Sequence, residues 1–409
     1  MIPLALERVA DLVPGQFDRA GWTDEITGVQ VDSRRIEEGD LFVAVSDGAA
    51  YRKHAFARGA AATLLPQDAF SALAALADAV REQSSARFVA ITGSMGKTST
   101  KDILAAICAA QARTVAAERS FNNEIGVPLT VCRVEPDTEI CILELSMRGF
   151  GQIAELCAFT RPEIGVITNI APVHLEKVGT LEGVVRAKGE LVDALPSGGT
   201  AIVPEGFAVG RADIDVVRVG EDVLLESFEP PLLRTSIGTA EVNFSAQHLA
   251  LNALTAFATA RALGLEIPER IDVTFAEWRN QELALPGGGL LINDAWNANP
   301  ISMRAALDHL RQLAAGRRRI AVLGEMAELG DYTDEAHLEV ARSVEEIGVD
   351  VLISVGERAR VYGGRAVTDA DEAIGLLREE LKSGDCVLVK GARVLRLERV
   401  AEALAGVTA

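Results

Sequence analysis

The chain has 409 residues, of which 49% are apolar and 5% are aromatic. This length exceeds what one hydrophobic core usually serves, so we expect two or three domains. The formal net charge of −19 argues against general binding to nucleic acid or to anionic membranes, because both require a basic surface. A local cluster of amides and cations can still hold the phosphates of a nucleotide. We therefore expect small-molecule substrates as partners, with neither nucleic acid nor membrane.

The cysteines and the amino terminus indicate a compartment. Five cysteines stand singly, most of them in apolar runs, without a Cys-x-x-Cys pair. This gives no support to zinc or thiol chemistry, and buried thiols are typical of a reducing environment. The amino-terminal MIPLALERVADLV carries acidic residues and predicts a short helix rather than a signal peptide. No apolar run approaches the roughly 20 residues of a membrane span. We expect a cytoplasmic protein and a monomer.

Residues 1–86 predict a small α/β domain. The strand-like GVQVDSRR and DLFVAV are followed by a helical AFARGAA, a strand ATLL and an Ala-rich helix at about 70–83. The short polar stretch SSAR then forms a plausible hinge. This polar stretch lies between the first segment and the apolar strand FVAIT that follows.

Residues 87–285 predict a second domain with a mainly parallel sheet. Helices expected at 97–112, near 151–158 and at 181–194 alternate with apolar strands. Such alternation requires crossover connections, which place successive strands parallel. A less regular stretch at 205–243 precedes a strong helix, SAQHLALNALTAFATARALGL.

Residues 286–409 begin with the turn-forming PGGG and predict a third domain. Strands LLINDA, RRIAVLGEM, VDVLISVG and CVLVKG alternate with helices at 301–314, near 334–347 and at 370–382, before a last helix to Leu404. This second βα series predicts a Rossmann-like domain. The predicted fold class is therefore α/β, with three domains.

The motif FVAITGSMGKTST predicts a phosphate-binding loop. A buried strand runs into Gly93-Ser94-Met95-Gly96-Lys97-Thr98 and directly into a helix. Glycines let backbone amides turn toward phosphate oxygens, and the helix start adds partial positive charge. Lys97 would reach the outer phosphates and the Thr98 hydroxyl would ligate Mg²⁺. Ile91 stands where the general Walker pattern has its first glycine, so a chance turn is the alternative; the strand–loop–helix setting favours the nucleotide.

Thr92 to Thr98 resembles the Thr-Gly-x-x-Gly-Lys-Thr loop of the Mur ligases, enzymes that add amino acids to the peptidoglycan precursor. FNNEIGVPLT, ILELSMRGFGQI and TNIAPVHLEKVGTLEGVVRAKGEL resemble further segments of this family, in the same order. The resemblance implies ATP and Mg²⁺ as cofactors. It also implies ATP contacts from the loop and the helix start, through Gly93, Ser94, Met95, Gly96, Lys97, Thr98 and Ser99, and substrate contacts from Asn122 and Asn123.

The same resemblance implies a metal centre. Thr98, Glu144 and His174 would be its ligands, and Lys188 would be carbamylated, giving an anion that organises the site. Transfer of a γ-phosphoryl group to a carboxylate needs charge neutralised on both partners, which two magnesium ions provide. Lys97 and Lys188, with Glu144 and His174, are the catalytic candidates. Taken singly, Glu144 could be a capping carboxylate, His174 a polar residue at a strand end and Lys188 a surface lysine.

The third domain indicates a branch of the family. NDAWNANPISMRAAL resembles the signature of the MurF branch, with Trp296 in place of the usual tyrosine; Glu325 stands where aspartate is usual. VDSRRIEEGDLFVA resembles the module that binds uridine diphosphate. The resemblance implies ATP contacts from Asn293, Asn297 and Arg279, and substrate contacts from Ser33, Arg34, Asn299, Lys390 and Arg393. For Arg279, a surface arginine is the alternative.

The branch reaction joins the carboxylate of UDP-N-acetylmuramoyl-tripeptide to the amine of D-alanyl-D-alanine through an acyl phosphate. Two features depart from the family pattern: a shortened 205–243 region, and SDGAAYRKHAF in place of a turn of the Asp-Gly-His type. They leave open a MurF-like ligase of another pathway, with a different acid and amine. A catalytically silent ATP-binding scaffold is a third hypothesis, against which the intact Lys97, Thr98 and Glu144 argue.

Overall fold

The computed structural model of the protein describes residues 1–172 and 175–405. These residues form two compact units. The first comprises Met1–Asn169, Arg186–Asn243 and Asn252–Val273, and the rest of the chain belongs to the second. Among the described residues, no helix combines the length and the apolar character that a membrane crossing demands.

Strands from the amino terminus to residue 271 all lie in the first unit. They are β1 (Leu4–Ala5), β2 (Gly15–Arg19), β3 (Glu25–Ile26), β4 (Gly28–Gln30), β5 (Asp40–Val43), β6 (Ala62–Pro66), β7 (Arg87–Thr92), β8 (Thr114–Ala116), β9 (Ile140–Glu144), β10 (Ile164–Ile167), β11 (Thr200–Pro204), β12 (Asp215–Val219), β13 (Leu225–Glu229), β14 (Leu232–Thr235), β15 (Gly238–Val242) and β16 (Arg270–Ile271).

The helices in this part of the chain follow the predicted order. They are α1 (Leu6–Leu12), α2 (Arg52–Ala57), α3 (Ala69–Gln83), α4 (Lys97–Ala109), α5 (Gly126–Val131), α6 (Gln152–Thr160), α7 (Leu175–Val178), α8 (Leu181–Asp193) and α9 (Gln247–Ala262), with short 3-10 turns at Ser33–Arg35 and Ser46–Tyr51. Helix α4 ends at Ala109 rather than at residue 112. The chain turns there, and the amides of Gln111 and Ala112 both donate to the carbonyl of Cys108.

The central sheet of the first unit has the order β12-β11-β10-β7-β9-β8 and is parallel throughout. Its middle strand, β7, buries Phe88 and Ile91 completely, as expected for a strand covered on both faces. The predicted parallel sheet is confirmed. Since β9, β7 and β10 are neighbours, their carboxyl ends lie side by side, where open α/β sheets bind ligands.

Smaller sheets complete the first unit. Strands β2-β6-β5-β4 form a mixed sheet in the amino-terminal part, and β1 pairs with β3. The irregular stretch at 205–243 contributes β12 to the central sheet and forms the antiparallel meander β13-β14-β15, to which β16 adds in parallel.

The second unit contains the elements of the carboxyl-terminal part. They are β17 (Gln281–Leu285), β18 (Gly289–Asp294), α10 (Pro300–Ala314), β19 (Arg319–Gly324), α11 (Thr333–Ile347), β20 (Val351–Val355), β21 (Arg365–Val367), α12 (Ala370–Glu380), β22 (Cys386–Lys390) and α13 (Glu398–Ala405), with 3-10 turns at Pro286–Gly288, Gly330–Tyr332, Arg358–Tyr362 and Arg393–Leu395.

These strands form a sheet of order β17-β18-β22-β19-β20-β21, parallel except for β17. One face packs against α10 and α11 through Met303 and Val340, and the other against α12 and α13 through Leu377 and Val400. This two-sided packing confirms the Rossmann-like fold class. The glycine turn after Leu285 joins β17 to β18, so the sheet includes residues that precede position 286.

Candidate active site

The loop between β7 and α4 requires its two glycines. Gly93 has φ +148° and Gly96 has φ +74°. A Cβ on Gly93 would lie 1.9 Å from Thr168 Oγ1, and one on Gly96 would lie 2.4 Å from Asn252 Oδ1. Neither distance is possible for real atoms, so a side chain at either position would displace the loop or its neighbour.

We expect Gly93→Ala to lower the free energy of unfolding by about 1–3 kcal/mol, because the substitution adds both a clash and backbone strain. It should also weaken ADP binding, since the loop must move. Urea unfolding and calorimetric titration with ADP measure the two effects. Gly198→Ala is the matched control: Gly198 has φ +78° and no atom within 4 Å of the added Cβ, so only stability should fall. Wild-type ADP affinity in Gly93→Ala would contradict this expectation.

The end of β10 holds the loop in place. Asn169 accepts from the Met95 amide with its Oδ1 at 2.8 Å, and from the Ser94 amide with its carbonyl at 3.1 Å. Thr168 Oγ1 donates to the Met95 carbonyl at 2.5 Å. Sequence reasoning missed both residues. The signal that points to them is the polar Thr-Asn pair directly after a buried strand.

The two proposed catalytic lysines lie close together. Lys97 Nζ donates to the Gly93 carbonyl at 2.8 Å. Lys188, on α8, is 2% exposed, so it is not a surface lysine. Burial lowers the pKa of Lys188 well below its usual range, and the positive charge of Lys97 lowers it further. The Lys188 side chain is therefore a neutral amine more readily than an ordinary lysine.

Glu144 ends β9 beside the loop and is completely buried. Its Oε1 accepts from Thr98 Oγ1 at 3.1 Å and from Asn122 Nδ2 at 2.7 Å. Among the described residues its Oε2 has no hydrogen-bond partner. A buried carboxylate oxygen without a partner is costly, and carboxylates are preferred ligands of Mg²⁺. Thr98 and Glu144 thus fit a magnesium ion; His174 lies outside the described residues.

The two neighbouring asparagines have different surroundings. Asn122 contacts Glu144, whereas Asn123 Oδ1 accepts from the Gly126 amide at 3.0 Å, at the start of α5. Asn122 also accepts from the amide and the hydroxyl of Ser146 with its main-chain oxygen. Asn122 therefore belongs to the group around the Glu144 carboxylate, and Asn123 stabilises the start of α5.

Ser33 and Arg34 form a group of their own on a 3-10 turn. The buried Ser33 Oγ lies 3.0 Å from His54 Nδ1. Arg34 is largely exposed and pairs with Asp32 at 2.7 Å. Hydrogen bonding from Arg34 lowers the pKa of Asp32 to about 2. His54, which the sequence did not single out, therefore shares this polar group with Ser33.

In the second unit, Asp294 and Lys390 meet at the carboxyl ends of β18 and β22. Lys390 Nζ donates to Asp294 Oδ2 at 2.5 Å and to the Asn297 carbonyl at 2.9 Å. Asn293 is buried and donates from Nδ2 to Gln281 Oε1 at 3.2 Å. Asp294 and the main chain of Asn297, both in the motif NDAWN, thus bind one buried lysine, whereas Asn293 contacts β17.

Two tryptophans of this unit lie beside Arg279 and Arg393, the arginines predicted to contact ATP and the substrate. Trp278 and Trp296 stack with centroids 5.9 Å apart and an interplanar angle of 17°. The Arg393 guanidinium lies 4.6 Å and 5.2 Å from the two ring centroids, and Arg279 lies 5.6 Å from that of Trp296. Trp278 has φ +61°, a strained conformation for a bulky residue that concentrates at functional sites. No sequence pattern had pointed to Trp278 as a residue of the site.

Asn297 and Asn299 make local backbone contacts. Asn299 Oδ1 accepts from the Ser302 amide at 2.9 Å, and the Asn299 amide donates to Ser302 Oγ at 3.0 Å. This reciprocal pair begins α10 as a capping box. Asn297 Oδ1 accepts from the Ala298 amide at 2.8 Å. Both side chains therefore shape the turn after β18.

Known proteins match this chain along its length. The model for the Mur ligase middle domain matches residues 91–260, and that for the Mur ligase glutamate ligase domain matches residues 278–393. UDP-N-acetylmuramoyl-tripeptide–D-alanyl-D-alanine ligase of Escherichia coli is 32% identical over 99% of both chains. The protein of that name from Mycobacterium bovis is 33% identical over 99% of this chain and 98% of its own.

Two solved structures are similar to this chain over most of its length. The crystal structure of MurF from Acinetobacter baumannii has a TM-score of 0.84 at 28% identity and covers 99% of both chains. MurF ligase from Thermotoga maritima in complex with ADP has a TM-score of 0.78 at 25% identity, over 93% of this chain and 97% of its own. The chain belongs to the Mur ligase family. It is an ATP-dependent ligase of peptidoglycan synthesis, with ATP and Mg²⁺ as cofactors.

Proposed function

We propose that the protein joins the terminal carboxylate of UDP-N-acetylmuramoyl-tripeptide to the amine of D-alanyl-D-alanine, with conversion of ATP to ADP and phosphate. The buried Glu144 carboxylate, placed against Thr98 of the phosphate loop with one oxygen unpartnered among the described residues, carries this proposal. The end-to-end similarity to relatives of that name supports the choice of substrates.

The chemistry requires an activated acid. A carboxylate is a poor electrophile because its oxygen leaves badly, so the γ-phosphoryl group first moves from ATP to a carboxylate oxygen, releasing ADP. The amine then attacks the carbonyl carbon of this acyl phosphate, loses a proton and expels phosphate, leaving the amide. Mg²⁺ held by Thr98 and Glu144 would neutralise phosphate charge during the transfer.

The protein side chains would orient the reactants. Lys97, now on the Gly93 carbonyl, would turn to the outer phosphates, while the amides of Gly93 to Ser99 surround the others. We assign Arg279, Asn293 and Asn297 to ATP. Ser33 and Arg34 would take the uridine diphosphate, and Asn122, Asn123, Asn299, Lys390 and Arg393 the reacting acid and amine. The side chains of Asn123 and Asn299 also accept from amides in the first turns of α5 and α10, so their replacement would cost stability as well as affinity.

We further propose that the active protein is a cytoplasmic monomer, with domains at 1–86, 87–285 and 286–409, where β17 at the end of the second range completes the sheet of the third. We also propose that Lys188 is carbamylated and that His174 is a metal ligand. Carbamate formation requires an unprotonated amine. Burial and the nearby Lys97 charge lower the Lys188 pKa, which supports the proposed modification.

Lys188 should yield one additional carbonyl resonance when the protein is equilibrated with ¹³C-labelled bicarbonate. Lys188→Arg, which keeps a long basic side chain but does not form a stable carbamate, should lack that resonance. Removal of dissolved CO₂ should lower ligase activity of the wild-type protein only. A spectrum identical in the two proteins would contradict the modification.

An assay of ADP release tests the function. Purified protein is incubated with ATP, Mg²⁺ and UDP-N-acetylmuramoyl-tripeptide, with or without D-alanyl-D-alanine. The mass of the product is measured by mass spectrometry. We expect ADP release that depends on both acid and amine. Turnover only with another acid and amine would indicate a ligase of another pathway, whose different substrate specificity we would seek in the altered segment 46–56. ATP binding without turnover on any pair would indicate a scaffold.

A further inference from the structure

Lys101, one turn after the phosphate loop on α4, is a buried lysine with a full set of partners. It is 3% exposed. Its Nζ donates to the Ala117 carbonyl at 2.8 Å and to the Arg119 carbonyl at 3.2 Å, and lies 2.6 Å from Asp102 Oδ1. Burial of an ammonium group is expensive unless it is paired and hydrogen-bonded. The proposed reaction uses no group at this position.

The carbonyls that Lys101 binds belong to residues 117–122, which we call the 117–122 segment. It follows β8 and turns at Arg119, which has φ +49°. Immediately after this turn, Ser120 Oγ lies 3.4 Å from Thr98 Oγ1, and Asn122 Nδ2 donates to Glu144 Oε1 at 2.7 Å. The segment therefore places the Ser120 and Asn122 side chains beside Thr98 and Glu144, the two residues that fit magnesium.

Glu118 attaches the same segment through charged contacts of its own. Glu118 Oε2 lies 2.8 Å from Arg35, on the 3-10 turn that carries Ser33 and Arg34, and Glu118 Oε1 lies 3.4 Å from Arg133. These side chains are partly exposed, so their pairing contributes little on its own. The buried Lys101 is thus the stronger of the two attachments.

We infer that Lys101 is a positioning residue for phosphoryl transfer: by binding the carbonyls of Ala117 and Arg119, it fixes the 117–122 segment so that Ser120 and Asn122 orient Thr98 and Glu144 toward the metal. This inference rests on the proposed function of Thr98 and Glu144 as magnesium ligands. Groups that orient metal ligands typically contribute 10–100-fold to metal affinity or activity.

Lys101→Met tests the inference, because it keeps most of the apolar stem and removes the ammonium group. Mn²⁺ is titrated into the protein with ADP, and free Mn²⁺ is followed by its electron paramagnetic resonance signal. We expect Mn²⁺ affinity to fall about 10–100-fold, while ADP affinity without metal stays within about threefold. In the ligase assay, kcat should fall and the Mg²⁺ concentration for half-maximal rate should rise.

Gln111→Met is the matched control, since Gln111 Nε2 donates to the carbonyls of Ile107 and Glu266 at the far end of α4. It should lower the melting temperature without changing Mn²⁺ affinity. Wild-type Mn²⁺ affinity in folded Lys101→Met would overturn the inference. If Lys101→Met does not fold, the double variant Ser120→Ala, Asn122→Ala, which removes the two contacts through which Lys101 would act, is titrated instead, and unchanged Mn²⁺ affinity again overturns the inference.

The two proposals fail separately. If wild-type protein binds Mn²⁺ with ADP but performs no ligation, the proposed substrates are wrong and the Mn²⁺ titration still decides the role of Lys101. If Glu144→Gln leaves Mn²⁺ affinity unchanged, the metal site itself is wrong and the inference falls with it.

Discussion

Lys97→Ala is expected to lower kcat of the ligase reaction by about a thousandfold or more, with little loss of stability. One cation placed on a transferring phosphoryl group contributes on this order, because it stabilises charge that develops in the transition state. In the structure Lys97 Nζ donates to the Gly93 carbonyl at 2.8 Å, and it lies near Lys188. Removal of its charge should raise the pKa of Lys188 only in part, because burial, the larger cause of the lowered pKa, remains.

The rate of ADP formation, measured at saturating ATP, acid and amine, checks this prediction. Lys382→Ala provides the control, because Lys382 is an exposed lysine at the end of the α12 region and should leave the rate unchanged. A Lys97→Ala protein that retains wild-type kcat would contradict the assignment of this loop to phosphoryl transfer. Thermal melting of both variants shows whether any loss arises from unfolding.

Glu144→Gln is expected to reduce activity by at least about a hundredfold, because metal-ion charge stabilisation is worth several kcal/mol in such reactions. The glutamine oxygen can still accept from Thr98 Oγ1 and Asn122 Nδ2, as Glu144 Oε1 does. Its amide nitrogen would occupy the position of Oε2, which has no hydrogen-bond partner among the described residues. The fold should therefore persist while the metal ligand is lost.

Activity measured against Mg²⁺ concentration distinguishes this effect from a general loss. We expect the variant to require far more Mg²⁺, or to stay inactive at any concentration, with ADP affinity in the absence of metal preserved. Glu135→Gln, at an exposed position before β9, is the matched control. An unchanged Mg²⁺ dependence in Glu144→Gln would show that Glu144 is not a ligand.

The features that the sequence predicted are local or strongly periodic. Gly93 to Thr98 could be recognised because strand, glycines and helix follow one another without interruption, and each has its own signal. Glu144 was predicted from the resemblance of ILELSMRGFGQI to a segment of the family, and it stands at the end of an apolar strand. The parallel direction of β9, β7 and β10, which the alternation of strands and helices predicted, then brings these residues to one edge of the sheet, although the order of the strands was not predicted.

The features that the sequence did not predict depend on contacts between distant segments. Asn169 meets the loop only because β10 lies beside β7 with a particular register. In the sequence, Lys101 resembles any other lysine on a helix. In the structure it donates to two carbonyls of the segment after β8, a contact between separate parts of the chain. Trp278 has an unusual backbone conformation and meets Arg393, more than a hundred residues later, which no local pattern indicates.

Proposed roles and local structure overlap at two asparagines. The sequence predicted substrate contacts for Asn123 and Asn299 from family resemblance, and the structure shows their side chains bonded to helix starts. Turn chemistry alone favours asparagine at such positions. Their part in substrate binding stays a prediction, and variants at these positions need stability measurements beside kinetic ones.

Transfer of labelled oxygen tests the central claim most directly. The protein is given ATP, Mg²⁺, D-alanyl-D-alanine and UDP-N-acetylmuramoyl-tripeptide with ¹⁸O in its terminal carboxylate, and both phosphate and peptide product are analysed by mass spectrometry. An acyl phosphate predicts equal amounts of ADP and amide product, with one ¹⁸O atom of the acid recovered in phosphate. Absence of the amide product, or product formation without ¹⁸O in phosphate, would contradict the proposed reaction.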